Sequence, residues 1–99
     1  MVRHVVTFQF SGTPEIRRAV AEHFKEALLA LPEQIMELKS IEVGINENPA
    51  EQWDLVLIAE AETLEDVAIY SAHPAHQAAV AIIANHKANR ACVDYSIDR

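Results

Sequence analysis

The chain has few of the residues that mark several large protein classes. Its 99 residues include one cysteine and two glycines, and the eight lysines and arginines form no cluster. A single cysteine excludes an internal disulfide, and two isolated glycines do not form a nucleotide-binding loop. No hydrophobic run reaches membrane-spanning length. A formal net charge of -7 disfavours nucleic acid and anionic membranes as partners. We therefore expect one acidic domain over residues 1–99, in the cytoplasm.

The first half of the sequence shows strand patterning and then helical patterning. Residues 2–10 alternate, with the even-numbered positions on one face, and this period of two predicts a strand. Thr13 is a suitable N-cap and Pro14 a suitable first residue of a helix. Apolar residues then recur at helical spacing until Pro32, where we expect the helix to end.

The second half predicts three further strands and a pair of helices. Alternation indicates strands at 38–46, 53–61 and 90–97. A capping box at Thr63 predicts a helix to about residue 71, and Pro74 begins another to about residue 86. The order of these elements predicts an α+β ferredoxin-like sandwich, in which helices cover one face of a four-stranded antiparallel sheet.

The second face of that sheet is also apolar at its centre. Val5 and Thr7 from the first strand and Val56 and Ile58 from the third point away from the predicted helices. An apolar sheet face left in water would be a large exposed patch, and a second copy of the chain is the simplest cover for it. We therefore predict a homodimer.

Residues 70–76 carry the groups best suited to acid-base chemistry. Pro74 disfavours helix at His73 and places His76 in the first turn of a new helix. The positive end of the helix dipole there favours a neutral imidazole, which can act as a base, while the Tyr70 phenol can donate a hydrogen bond. His73 is expected to be a capping or turn residue.

Two further observations concern cysteine and metal. Cys92 lies between apolar neighbours, and we expect it to be buried in the core. His73 and His76 have no nearby cysteine or glutamate in a recognisable ligand motif. We therefore expect neither a metal nor a cofactor.

Four segments of the sequence resemble the stress-responsive α/β-barrel (Dabb) domain family. They are residues 4–10 (HVVTFQF), 38–44 (LKSIEVG), 73–76 (HPAH) and 93–95 (VDY), in this order and spacing. The resemblance implies a dimeric α+β barrel with a cleft between sheet and helices. Some plant members are polyketide cyclases that use a Tyr-His pair in this cleft for aldol chemistry.

The resemblance also implies roles for individual residues. Tyr70 and His76 would be the Tyr-His pair, His4 would line the cleft, and Asp94 would hold the His76 ring. Leu55 stands where the cyclases carry a further histidine on the third strand. This replacement makes the cleft less polar, which weakens catalysis more than binding.

Two functions of different classes follow, and a third stays open. The first, which the less polar cleft favours, is a module that binds a small apolar or aromatic molecule without turnover. Its cleft would be lined by Phe8, Phe24, Leu55, Leu57, Val80 and Ile83. The second is a cofactor-independent cyclase, lyase or isomerase, with His76 as base and Tyr70 as donor. The third is a cofactor-free monooxygenase of the same superfamily.

Overall fold

The computed structural model describes residues 1–98, which form a four-stranded antiparallel sheet and three α-helices. In chain order the elements are β1 (Val2–Phe10), α1 (Pro14–Leu29), a 3-10 turn (Leu31–Glu33), β2 (Ser40–Ile45), β3 (Leu55–Ala61), α2 (Leu64–Ala72), α3 (Pro74–Ala81) and β4 (Lys87–Ser96). The strand order β2-β3-β1-β4 confirms the predicted ferredoxin-like α+β topology. The longest of these helices has 16 residues, and none of those described could span a bilayer.

The helix starts follow the local chemistry of the sequence. The Thr13 hydroxyl accepts a hydrogen bond from the backbone N–H of Ile16, and the Thr63 hydroxyl accepts one from the N–H of Asp66. Each bond satisfies an amide that the first helical turn leaves without a partner. Gly12 has φ +114°, a left-handed conformation that suits glycine, at the turn between β1 and Thr13.

Several predicted element boundaries were wrong. Helix α3 ends at Ala81 rather than near residue 86, and β4 begins at Lys87 rather than at residue 90. The intervening residues form turns, because the backbone N–H groups of His86 and Lys87 both donate to the Ile83 carbonyl at 2.9 Å. Strands β2 and β3 each begin two residues later than predicted, and Pro32 lies in the 3-10 turn that follows α1.

The sheet has two apolar faces, as the alternation predicted. The helix side holds the core, whose largest fully buried apolar side chains include Val6, Phe24, Leu28, Leu31, Ile35, Leu55, Leu57 and Ile83. Val5, Thr7, Val56 and Ile58 lie on the other face and are half-buried in the single chain. Strand β4 adds Val93 and Tyr95 to this face, and 62% of Val93 is exposed.

Candidate functional site

The break between α2 and α3 brings a phenol and an imidazole together. His73 caps α3, because its Nδ1 accepts a hydrogen bond from the backbone N–H of Ala75 at 3.0 Å, and this confirms its predicted capping role. Pro74 is the first residue of α3, as predicted. The rings of Tyr70 and His76 consequently meet edge to face across the break, with centroids 4.6 Å apart.

His76 is held as a neutral imidazole with one free lone pair. Its Nδ1 lies 2.9 Å from the carbonyl oxygen of Ser71, which can only accept, so Nδ1 carries the proton. Burial lowers the pKa of His76, and the Ser71 carbonyl opposes this effect, while the charge of Arg90, and that of His4 when protonated, lower the pKa further. At neutral pH Nε2 of His76 is therefore a proton acceptor.

Tyr70 is a buried phenol whose hydroxyl is unsatisfied. Only 1% of the residue is exposed, and its hydroxyl has no hydrogen-bond partner within residues 1–98. Burial raises the pKa of Tyr70 well above its usual range, and the charge of Arg90 opposes this rise. The hydroxyl therefore keeps its proton and has a hydrogen bond to donate.

Asp94 contacts His4 and not His76, so the predicted Asp94-His76 pairing was wrong. Residues 4 and 94 are direct partners in the antiparallel β1-β4 pair, and Nδ1 of His4 lies 2.5 Å from Oδ1 of Asp94. The His4 ring is buried and meets the Tyr70 ring edge to face at a centroid distance of 6.1 Å. Tyr70 thus contacts two imidazoles, each of which has its Nδ1 in a hydrogen bond.

Two members of this cluster, Arg90 and Cys92, were not predicted as site residues. Both lie on the helix-facing side of β4 together with Asp94. Arg90 is four residues before Asp94 and pairs with Phe8, and Cys92 is two residues before it and pairs with Val6. The charge of Arg90 reaches both Tyr70 and His76. Counting back from Asp94 with a period of two would have found both residues.

The prediction that Cys92 is buried in the core was wrong. The thiol is free and exposed, because β4 is an edge strand and all of its residues remain exposed in the single chain. Its Sγ lies 3.5 Å from Nδ1 of His4 and 3.8 Å from Oδ1 of Asp94. Partial burial raises the pKa of Cys92, and the negative charge of Asp94 raises it further.

The six apolar residues predicted to line a ligand cleft lie in the interior of the sandwich. Val80 is half-buried, and the other five belong to the packed core, namely Phe8, Phe24, Leu55, Leu57 and Ile83. The rings of Phe8 and Phe24, for example, pack edge to face at 5.3 Å. Their role in binding a ligand stays a prediction.

An open groove lies elsewhere on the molecule. It has a volume of about 680 Å³ and runs between the start of α1 and the loop from β2 to β3. Arg17 and Asp54 lie in it, and their side chains are 3.3 Å apart. None of Tyr70, His76, His4 and Asp94 lines this groove.

The chain is similar to small ferredoxin-like proteins that are described as dimeric. A family model described as the stress responsive A/B barrel domain matches residues 2–97. A dimeric ferredoxin-like protein of unknown function from Bacteroides fragilis is 44% identical, with a TM-score of 0.93 over 97% of this chain and 95% of that one. A dimeric ferredoxin-like protein from Thermobifida fusca is 31% identical, with a TM-score of 0.80 over 97% and 90%. No curated protein matches the chain.

More distant structures share the fold alone. A hydroxynitrile lyase from Passiflora edulis is 14% identical, with a TM-score of 0.78 over 98% of this chain and 93% of that one. An antibiotic biosynthesis monooxygenase is 15% identical, with a TM-score of 0.77 over all of both chains.

Proposed function

The chain belongs to the stress responsive A/B barrel domain (Dabb) family, and from this premise we propose that it is a cofactor-independent acid-base enzyme acting on a small carbonyl compound. His76 is the base and Tyr70 is the hydrogen-bond donor. The observation that carries the proposal is the buried Tyr70 hydroxyl, which has no partner in residues 1–98 and lies beside an imidazole with a free Nε2.

An unsatisfied buried hydroxyl is costly, and this cost indicates a use. Leaving such a donor without a partner costs roughly 1–3 kcal/mol, and buried polar groups in folded proteins are nearly always paired. The carbonyl oxygen of a ligand would accept the missing hydrogen bond. Tyr70 is therefore prepared to bind an oxygen that residues 1–98 do not supply.

The reaction begins with proton transfer from carbon. Nε2 of His76 takes a proton from the carbon beside the carbonyl group, and the electron pair of that C–H bond forms an enolate. The Tyr70 hydroxyl donates to the enolate oxygen, and the positive charge of Arg90 lowers the energy of this oxyanion. Attack of the enolate carbon on a second carbonyl gives cyclisation, and reprotonation at a new position gives isomerisation. In a lyase reaction, His76 and Tyr70 promote the reverse of this carbon–carbon bond formation.

The His4-Asp94 pair supplies a second acceptor. The Asp94 carboxylate accepts the Nδ1–H of His4, so the neutral form of this ring offers the lone pair of Nε2. Because His4 also contacts the Tyr70 ring, we assign it to accept a proton in a later transfer, while the His76 imidazolium returns the proton that it took to the product.

Acid-base chemistry is better supported than binding without turnover. A binding module needs apolar side chains that face a ligand, and five of the six candidates are packed against one another in the core. The Tyr70 hydroxyl, by contrast, has no hydrogen-bond partner in the described part of the chain. The monooxygenase alternative stays a prediction from the superfamily resemblance, since no contact in residues 1–98 favours it.

We propose that the enzyme is a homodimer in which the outer sheet face covers its counterpart on a second copy. The outer sheet face consists of half-buried or exposed side chains of β1, β3 and β4, namely Val5, Thr7, Val56, Ile58, Val93 and Tyr95. The 44% and 31% identical relatives are described as dimeric. The exposed free thiol of Cys92 suits a reducing compartment, and we propose the cytoplasm.

An assay that needs no knowledge of the natural substrate can test the acid-base function. In D₂O, a base that removes the proton beside a carbonyl exchanges it for deuterium, and NMR follows the loss of the proton signal. We expect accelerated exchange for members of a probe panel that includes acetone, phenylacetone and acetophenone. His76→Ala should abolish the acceleration, and His23→Ala, at an exposed imidazole on α1, should not. Probe binding at Tyr70 without exchange would favour the binding module and overturn the enzyme assignment.

A further inference from the structure

Three side chains of different chemistry converge between β1 and β4. Nδ1 of His4, Sγ of Cys92 and Oδ1 of Asp94 all lie within 4.8 Å of one another. The two sulfur distances are 3.5 Å to the nitrogen and 3.8 Å to the oxygen, and the nitrogen and oxygen are 2.5 Å apart. This triangle of donor atoms has the composition of a metal site.

The spacing of the triangle is close to that of a tetrahedral metal site. Metal bonds of about 2.0–2.3 Å to nitrogen, oxygen and sulfur place neighbouring ligand atoms about 3.4–3.6 Å apart. The distances from Cys92 Sγ to His4 Nδ1 and to Asp94 Oδ1 already match this value within a few tenths of an ångström. Only the separation of His4 and Asp94 must widen, by about 1 Å. The Asp94 side chain is one-third exposed and has room to rotate.

The geometry of the β1-β4 pair brings the side chains of His4, Cys92 and Asp94 close together on one side of the sheet. Cys92 and Asp94 are two residues apart on β4 and therefore share its helix-facing side, and His4 is the register partner of Asp94 on β1. Backbone hydrogen bonds fix both strands, so a metal would meet ligands that are already placed. Ligands on paired strands lose less freedom on binding than ligands on loops.

We propose that His4, Cys92 and Asp94 bind a divalent transition metal of the zinc class. A set of one imidazole, one thiolate and one carboxylate suits zinc or cobalt, whereas magnesium and calcium require oxygen ligands. Three protein ligands leave the fourth position to water, as in open zinc sites. Binding replaces the proton on Nδ1 of His4 and the proton on the Cys92 thiol, and both are released to solvent.

The metal would change what His4 offers to the proposed reaction. In the neutral ring without metal, Nδ1 carries the proton that Asp94 accepts, and Nε2 is the acceptor. With metal on Nδ1, the neutral ring must carry its proton on Nε2, which then donates. Metal binding thus removes Nε2 of His4 as the second acceptor beside Tyr70. It leaves His76 unchanged, because Nδ1 of His76 is hydrogen-bonded to the Ser71 carbonyl. This inference goes beyond the proposed function, because the metal would act on the site as a regulator.

Cobalt(II) titration of the metal-free, full-length protein tests the site directly. We expect one ion per chain, the visible bands of tetrahedral cobalt, and a near-ultraviolet thiolate-to-cobalt band that zinc abolishes by displacement. Cys92→Ser should remove the thiolate band, and Asp94→Asn should weaken binding by about tenfold or more. His23→Ala, at an exposed imidazole away from the triangle, should bind as the wild type does. Wild-type binding by Cys92→Ser, or a spectrum without the thiolate band, would overturn the proposal.

A second readout separates this inference from the acid-base function. NMR of the imidazole nitrogens should show the His4 proton on Nδ1 without metal and on Nε2 with zinc. Cys92→Ser should abolish this change and retain deuterium exchange, whereas His76→Ala should retain the change and lose the exchange. A His4 proton that stays on Nδ1 in excess zinc would contradict the metal site and leave the acid-base assignment standing.

Discussion

Nδ1 of His4 lies 2.5 Å from Oδ1 of Asp94, directly across the antiparallel pair of β1 and β4. This contact determines which hydrogen-bond partner each imidazole of the site has. Asp94 is committed to His4 by strand register, so His76 takes a backbone carbonyl, that of Ser71, instead. The two rings therefore present the same atom, Nε2, for different structural reasons. The roles of Tyr70 and its neighbours lead to three predictions, and the outer sheet face leads to a fourth.

Replacing Tyr70 with phenylalanine should stabilise the fold and abolish the reaction. The ring stays packed in the core while the unsatisfied hydroxyl is removed, so we expect the free energy of unfolding to rise by about 1 kcal/mol. The enolate loses its donor, so deuterium exchange should fall by about a hundredfold. Urea denaturation and the exchange assay measure the two effects. A destabilised variant would show that the hydroxyl has a partner in the folded protein.

Activity should fall on acidification as His76 takes up a proton. Its pKa is lowered by burial, so the rate should be lost only below the ordinary histidine value of about 6.5. The raised pKa of Tyr70 should keep the rate constant through pH 9. Because the unfolded chain binds the His76 proton more readily than the folded chain does, stability should also decrease as the pH falls below about 6.5. NMR titration of His76 that gave a midpoint above this value would contradict the assignment.

Removing the charge of Arg90 should slow the reaction without unfolding the protein. Arg90 lies on the exposed edge strand β4. The substitution Arg90→Gln removes a positive charge that acts electrostatically on Tyr70 and His76. We expect the exchange rate to fall by about tenfold, because a charge that acts through the field contributes less than a direct donor. Arg18→Gln, which removes an exposed arginine paired with Glu22 on α1, is the matched control. Equal rates for both variants would remove Arg90 from the site.

A charge on the outer sheet face should separate the proposed dimer. Val93 is 62% exposed in the single chain and faces away from the helices, so Val93→Lys would bury an unpaired charge between two sheets. We expect light scattering to give the monomer mass at micromolar concentration. Met36→Lys places the same charge at a position that is 84% exposed and off the sheet, and this variant should remain dimeric. A dimeric Val93→Lys would move the interface to another surface.

The fold followed from the sequence because each prediction rested on interactions within a few residues. The start of α1 at Pro14, the cap at Thr63 and the whole of β1 needed only local chemistry and a period of two. The end of α3 could not be predicted in the same way, since residues 82–86 contain neither proline nor glycine to stop a helix. There the turn is set by the Ile83 carbonyl and by the long-range bond from the Ser11 N–H to the His86 carbonyl.

The candidate site was predicted in part for a related reason. Tyr70 and His76 flank one proline, and a local break was enough to suggest that they meet. The pairing of His4 with Asp94 joins residues 90 positions apart, and only the strand register assigns it. The exposure of Cys92 likewise follows from the position of β4 at the sheet edge, which the alternation of apolar residues in the sequence does not reveal.

Strand β1 carries the site and the outer face on alternate residues. His4 points toward the helices, and its neighbours Arg3 and Val5 point the other way. A single inserted or deleted residue near the start of this strand would turn the imidazole outward and drive a charged or apolar neighbour into its place. Substitutions on one face of β1 can therefore leave the other face intact. A change in the length of the strand would disrupt both the site and the outer face.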